Sequence, residues 1–139
     1  MGNQKEGFMF DSVSRYQPQL LSVLRIVSGL LLLQHGTAKV LGFPAVEGVP
    51  PPGLSLPGLS GPFELVLGLL LALGLFSRPA AFFAAGFCAV GYWAIHGTQN
   101  LFPILNGGEL IALYCFVFLY LTAAGPGPWS LDAVMRKRA

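Results

Sequence analysis

Residues 65–76 read LVLGLLLALGLF, with no polar side chain on any face of a helix. A water-soluble helix keeps a polar stripe opposite its buried one, so a segment apolar all round belongs in a large core or in a bilayer. The stretch IALYCFVFLYL at residues 111–121 is nearly the same. A chain of 139 residues makes about one domain, and a soluble four-helix bundle of that size would expose these leucines and phenylalanines. Only 10% of the residues are charged, against roughly 25% in soluble domains. The composition excludes a disordered chain and a nucleic-acid binder, and it predicts an all-α integral membrane protein.

Charged and turn-forming residues cut the chain into apolar segments at about 20–41, 61–76, 79–96 and 109–124. They are expected to form a four-helix transmembrane bundle. A bilayer core is crossed by about 20 helical residues, with about 17 tolerated, so the second and fourth segments are short. Residues 1–19 form a polar N-terminal segment and residues 125–139 a basic tail. No small-residue cleavage site follows the first apolar run, which therefore reads as an uncleaved span. The connection from Gly42 to Ser60 holds Pro44, Pro50, Pro51, Pro52 and Pro57, and is expected to be stiff and non-helical. Ser77-Arg78-Pro79 is expected to make the tight turn between the second and third spans. Gly97 to Gly108 forms another long loop, and Gly125-Pro126-Gly127-Pro128 stops the fourth span.

Positive residues orient this arrangement. Lys5 and Arg15 precede the first span, Arg78 lies in the second connection, and Arg136-Lys137-Arg138 are near the C-terminus, while the other two connections hold no Lys or Arg. The positive-inside rule places both termini and the short turn in the cytoplasm, in an inner (plasma) membrane, with Trp93 and Trp129 at opposite interfaces. Ser130 is expected to cap a short tail helix with Asp132 in its first turn, its basic end resting on anionic lipid.

Ionisable residues inside spans are costly and are functional candidates by default. On this topology His35, Lys39, Glu64, His96 and Glu109 lie in the outer leaflet, although they come from separate helices, and they are expected to converge as a ligand or proton-transfer cluster. Arg25 lies in the opposite leaflet, where the expected partners are Asp132 or the carbonyls freed near Gly125. Ser22, Gly29 and Gly36 recur every seven residues, a small-residue stripe that lets another helix approach; Gly68 and Ala72 supply a matching patch on the second span. The alternatives are structural: a Lys39–Glu64 interfacial pair, Glu109 complementing a helix N-terminus, His96 hydrogen-bonded in a loop. Cys88 and Cys115 sit within apolar runs and read as two packed thiols rather than a redox pair.

Three uses of the outer cluster remain. A quinone or quinol can be held by histidine donors, with Glu64 or Glu109 exchanging its proton. A metal site has the residue types but no Glu-x-x-His spacing on one helix, so no metal is assigned. The third use is to fix helix register in a scaffold. No nucleotide-binding or CxxC motif occurs.

RIVSGLLLLQHGTAKVLGF, GPFELVLGLLLALGLFSRPAA and the closing GPGPWSLD together resemble the DoxX family of small four-span membrane proteins, over about residues 20–132. The motif positions are Arg25, Gly29, His35, Gly36 and Lys39, then Glu64 and Arg78, then Gly125, Pro126, Ser130 and Asp132. Glu47 to Pro57 is a poorer match and lengthens the outer loop. The resemblance implies an accessory subunit of a membrane redox system, a component of a quinone-linked oxidoreductase complex with a redox partner protein. It also leaves a non-catalytic scaffold or small-solute carrier open, as it does oligomerisation in the lipid bilayer. No covalently bound cofactor is expected; any electron carrier is a quinone or resides on a partner.

Overall fold

Helix ends in this chain are set by glycine and proline. The computed structural model describes residues 10–48 and 56–138, with side chains at all of these except 56 and 57. Lys5 and the Pro50–Pro52 run lie outside the described residues. Residues 10–14 form a helical turn that leads into α1 (Gln17–Leu41), which has Pro18 in its first turn, where a missing N–H costs nothing. It ends where Gly42 turns left-handed at φ 68°.

Helix α2 spans Leu56–Leu73. The stretch 56–60, expected as loop, is helical, because a proline at position 57 falls in the first turn and is tolerated there. The helix stops at Gly74 (φ 71°), and Leu75 N–H reaches back to the Leu70 carbonyl at 3.0 Å. The turn is therefore Gly74–Phe76, not Ser77–Pro79, which already form the first turn of α3 (Ser77–Gly91). A five-residue π-helical turn, Tyr92–His96, continues α3. A short helix α4 (Pro103–Asn106) interrupts the next connection, α5 is Glu109–Ala124, and α6 is Leu131–Arg136.

The long helices pack as two close pairs, α1 with α2 and α3 with α5. The first pair is joined through glycines: a Cβ at Gly68 would lie 2.5 Å from the Leu33 backbone nitrogen, and one at Gly29 2.5 Å from that of Ala72. A Cβ at Gly36 would strike the Leu65 backbone. Of the stripe and patch read from the sequence, Gly29 thus meets Ala72, while Gly36 and Gly68 each admit the opposite helix at Leu65 and Leu33, and Ser22 faces the segment after α5 instead. In the second pair Ala80, Ala81, Ala84, Ala85 and Cys88 pack against Tyr114, Phe118 and Leu121, all buried.

The outer surface is apolar. Val27 and Leu30 on α1, Phe63 and Val66 on α2, Phe83 and Val90 on α3, and Phe116 and Leu119 on α5 all face outward and exposed. Large apolar groups covering the outside of a helical bundle require hydrocarbon around them. Gln17–Leu41 and Ser77–His96 are each long and apolar enough to cross a bilayer; Gly58–Leu73 and Glu109–Ala124 are shorter apolar helices.

Candidate functional site

Polar side chains gather inside the bundle at its two ends. At the first end α1, α2, α3 with its π turn, and α5 enclose a cavity of about 270 Å³, lined by His35, Lys39, Ser60, Glu64, Cys88, His96 and Tyr114 together with apolar groups that include Leu32, Phe87 and Ile111. The glycine contact between α1 and α2 sets one wall. With the backbones touching at Gly36, and Gly61 leaving room for the Lys39 and Val40 side chains, Lys39 Nζ reaches Glu64 Oε1 at 2.7 Å and donates to Ser60 Oγ at 2.7 Å. The Glu64 side chain is only 9% exposed, and its second oxygen, Oε2, is buried without a hydrogen-bond partner among the described residues. A buried, unpartnered carboxylate oxygen is costly and asks for an explanation.

The opposite wall is built by the π turn. Its extra residue per turn, closed by Gly97 N–H to the Tyr92 carbonyl at 2.8 Å, stacks the rings of Tyr92 and His96 at 6.3 Å. His96 Nδ1 lies 2.8 Å from the Asn106 carbonyl oxygen. A carbonyl can only accept, so Nδ1 carries the proton and Nε2 of the neutral ring is an acceptor. Asn106 is itself buried: its amide donates to the Asn100 carbonyl at 2.8 Å and to the Tyr92 hydroxyl at 3.2 Å, and its oxygen accepts from Gly108 N–H. Ser60, Tyr92, Asn106 and Tyr114 were not singled out by the sequence. The nearest signal was Asn-Gly-Gly at 106–108, which reads equally as a plain turn.

Four of the five residues expected to converge, His35, Lys39, Glu64 and His96, line this one cavity. His35 is the most solvent-exposed of them and makes no hydrogen bond among the described residues. Glu109 stands apart: it is exposed in the first turn of α5, where a carboxylate complements the helix N-terminus. Cys88 is buried against the cavity and Cys115 half-buried behind it; neither is bridged. Among the described residues no three His, Cys, Asp or Glu side chains are placed to share a metal ion.

The other end is organised around Arg25, which is fully buried. Nε donates to the Pro126 carbonyl at 2.7 Å, Nη1 to the Leu71 and Ala72 carbonyls, and Nη2 to the Trp129 carbonyl. Ser22 Oγ accepts from Trp129 N–H at 3.1 Å. The Gly125–Pro128 run cannot continue the helix, and its freed carbonyls take the guanidinium. Asp132 does not hydrogen-bond Arg25. Its two oxygens accept from Phe76 N–H (2.9 Å) and Ser77 N–H (2.8 Å), capping α3 and holding Phe76 at φ 48°. Ser130 Oγ caps α6 by accepting from Ala133 N–H at 3.1 Å.

A helical bundle with an apolar exterior and polar groups confined to its interior ends is a membrane protein. The DoxX family profile matches residues 20–97, more than half of the chain, and the protein belongs to the DoxX family. It is 42% identical over 127 residues to an uncharacterized protein of Haemophilus influenzae, covering 88% of this chain and 95% of that one. It is 27% identical over 129 residues to the inner membrane protein YqjF of Escherichia coli, covering 84% and 92%. An uncharacterized membrane protein of Mycobacterium tuberculosis is 28% identical over 148 residues, covering 88% and 85%. No solved structure matches the chain.

Proposed function

We propose that the protein is an accessory subunit of a membrane redox system that holds the head group of a quinone in the cavity between its helix pairs. The observation that carries this reading is Glu64 Oε2, buried and without a partner among the described residues, on a cavity shared with His35, Lys39 and His96. Ligand cavities usually run from about 300 to 1,000 Å³; one of about 270 Å³ suits a single ring. The residues present fit such a ring. Lys39 spends two of its N–H groups on Glu64 and Ser60 and keeps a third for a ring oxygen, while Glu64 Oε2 and His96 Nε2 accept from a hydroxyl. An apolar groove formed by Pro62, Phe63, Val66, Leu67 and Phe83 adjoins the cavity through the stacked Phe63 and Phe87 rings, 6.1 Å apart, and suits a hydrocarbon tail.

A bound quinone supplies electron transfer coupled to proton uptake. The chain supplies the rest: Lys39 orients a ring oxygen, Glu64 Oε2 takes or returns the proton, and the apolar lining excludes water. In this reading all four long helices cross an inner membrane, both termini are cytoplasmic because Arg15, Arg78 and Arg136–Arg138 share one end, and a partner protein passes the electrons on.

The test is titration of purified protein in detergent with a short-chain quinone, followed by melting temperature. A ligand at a hundred times its Kd stabilises the fold by about 2.7 kcal/mol. The wild type should gain stability, and His35→Ala and Glu64→Gln should not. The His35 side chain is exposed and makes no hydrogen bond among the described residues, so the melting temperature of His35→Ala should stay close to that of the wild type. If both variants respond to quinone as the wild type does, the cluster only fixes helix register. Solute flux in liposomes without any quinone dependence would make the protein a carrier instead.

A further inference from the structure

At the Arg78 end, outside the site just described, the α2–α3 turn and the tail helix border an open surface cavity of about 340 Å³, with Phe76, Arg78, Pro126, Asp132 and Arg136 on its walls. Arg78 is anchored on one side only. Its Nη1 donates to the Thr122 and Ala123 carbonyls at 2.7 and 2.6 Å, tying down the end of α5. The guanidinium rests on Gly125, where a Cβ would lie 3.0 Å from Nη2, so a bare backbone is needed beneath it. The remaining Nε and Nη2 N–H groups, which form the side-on edge of the fork, have no acceptor among the described residues. The Arg136 guanidinium likewise has none. The carboxylate on the same wall, Asp132, accepts from Phe76 N–H and Ser77 N–H; it feels the Arg136 charge but hydrogen-bonds neither arginine among the described residues.

We propose that this cavity is a phosphate site, in which the Nε–Nη2 edge of Arg78 grips the phosphate side-on and Arg136 supplies the second cation. Planar, paired donors are the geometry that recognises phosphate oxygens. Two chemistries present such a group here, the headgroup of an anionic phospholipid and free phosphate. The surroundings suit the headgroup: Phe76, on the wall of the site, is 62% exposed, and with Pro79 and Pro126 it offers apolar faces for a lipid's glycerol and acyl carbons.

The experiment is native mass spectrometry of the full chain released from neutral detergent, with phosphatidylglycerol, phosphatidylcholine or inorganic phosphate added. Each Lys or Arg near an anionic lipid surface contributes about 1 kcal/mol, a factor of about five in affinity. Arg136→Gln should therefore retain about fivefold less phosphatidylglycerol, with phosphatidylcholine retention unchanged. The Arg136 side chain makes no hydrogen bond among the described residues, so this variant should keep its helix content. Arg78→Gln should lose at least as much, and Arg78→Lys, which keeps the charge but not the fork, should not restore it. Millimolar inorganic phosphate that displaces the lipid from wild type identifies the shared phosphate as the recognised group, and phosphate binding with no lipid preference assigns the site to the free ion. Equal retention of phosphatidylglycerol by wild type and both glutamine variants would overturn the proposal.

Discussion

Replacing Arg25 with methionine tests how the bundle is held together. Methionine keeps most of the aliphatic stem and adapts to irregular space, so little cavity is created. What disappears is a buried charge donating four hydrogen bonds to the carbonyls of Pro126, Leu71, Ala72 and Trp129. Hydrogen bonds to a charged group are worth about 1.5–3 kcal/mol each, while burying that charge costs several kcal/mol that the substitution relieves. Even at the low end the bonds outweigh the relief, and carbonyls left buried without a donor add their own penalty. The expected net loss is about 3 kcal/mol. Arg25→Lys, with a single ammonium that cannot span both the α2 end and the tail, should recover less than half. Thermal unfolding in detergent measures the loss, and hydrogen exchange localises it. The Asp132 amide, bonded to the Gly74 carbonyl at 2.9 Å, should exchange faster because the tail has lost its anchor at Pro126 and Trp129. If Arg25→Met melts with the wild type and that amide stays protected, the guanidinium is not what joins the tail to α1 and α2.

Two further substitutions act elsewhere. Gly68→Ala places a methyl 2.5 Å from the Leu33 backbone nitrogen, a clash that no rotamer change relieves, and should cost about 3 kcal/mol; unchanged melting would mean that α1 and α2 are not backbone-close. Asp132 gives a pH dependence. Burial pushes its carboxyl up, but the Ser77 and Phe76 hydrogen bonds and the Arg136 charge outweigh this and hold it below the ordinary 3.8. A depressed carboxylate pKa stabilises the fold fully above its unfolded value and loses that contribution as pH falls through the folded one. Stability should therefore be flat above about pH 5 with respect to this group and decline below about pH 4. Asp132→Asn should be less stable at pH 7 and lack that part of the decline, as denaturation at a series of pH values would show.

Hydropathy made the helices legible because the lipid-facing surface imposes no polar stripe, and α5 begins and ends where its apolar run does, at Glu109 and Ala124. The ends of α2 were harder to read. Five residues of its first turns look like Pro-rich loop, and its stop depends on the left-handed Gly74, one of several glycines in that segment. The small-residue stripe was legible from spacing alone, since seven residues are close to two helical turns. Asn106 and Tyr92 were not, because their importance comes from a π turn, and nothing in YWAIH marks the extra residue that brings His96 over the Asn106 carbonyl. Glu109 shows the converse error. Depth in the membrane places it level with the others, but depth says nothing about which way a helix turns its side chain, and its carboxylate faces outward.

The two ends of the bundle divide the work. Arg25 joins α1 and α2 to the segment after α5 through Pro126 and Trp129, and Ser22 adds a bond to Trp129. At the other end the hydrogen bonds named above do not link the α1–α2 pair to the rest: Lys39 bonds Ser60 and Glu64 within that pair, and His96 bonds Asn106 of α4. The glycine contacts then have a second consequence beyond stability. By fixing α1 against α2 they fix the Lys39–Glu64 geometry, which leaves Oε1 spent on the lysine and Oε2 with no partner among the described residues. A carboxylate held in that way is insulated from strain at the Arg25 end. Arg25→Lys should accordingly lower the melting temperature while the quinone-induced stabilisation, measured as a difference at each variant's own midpoint, stays within a factor of about two in affinity. A loss of quinone response in Arg25→Lys as large as that in Glu64→Gln would show that the two ends are coupled and that the helix pairs are not rigid units.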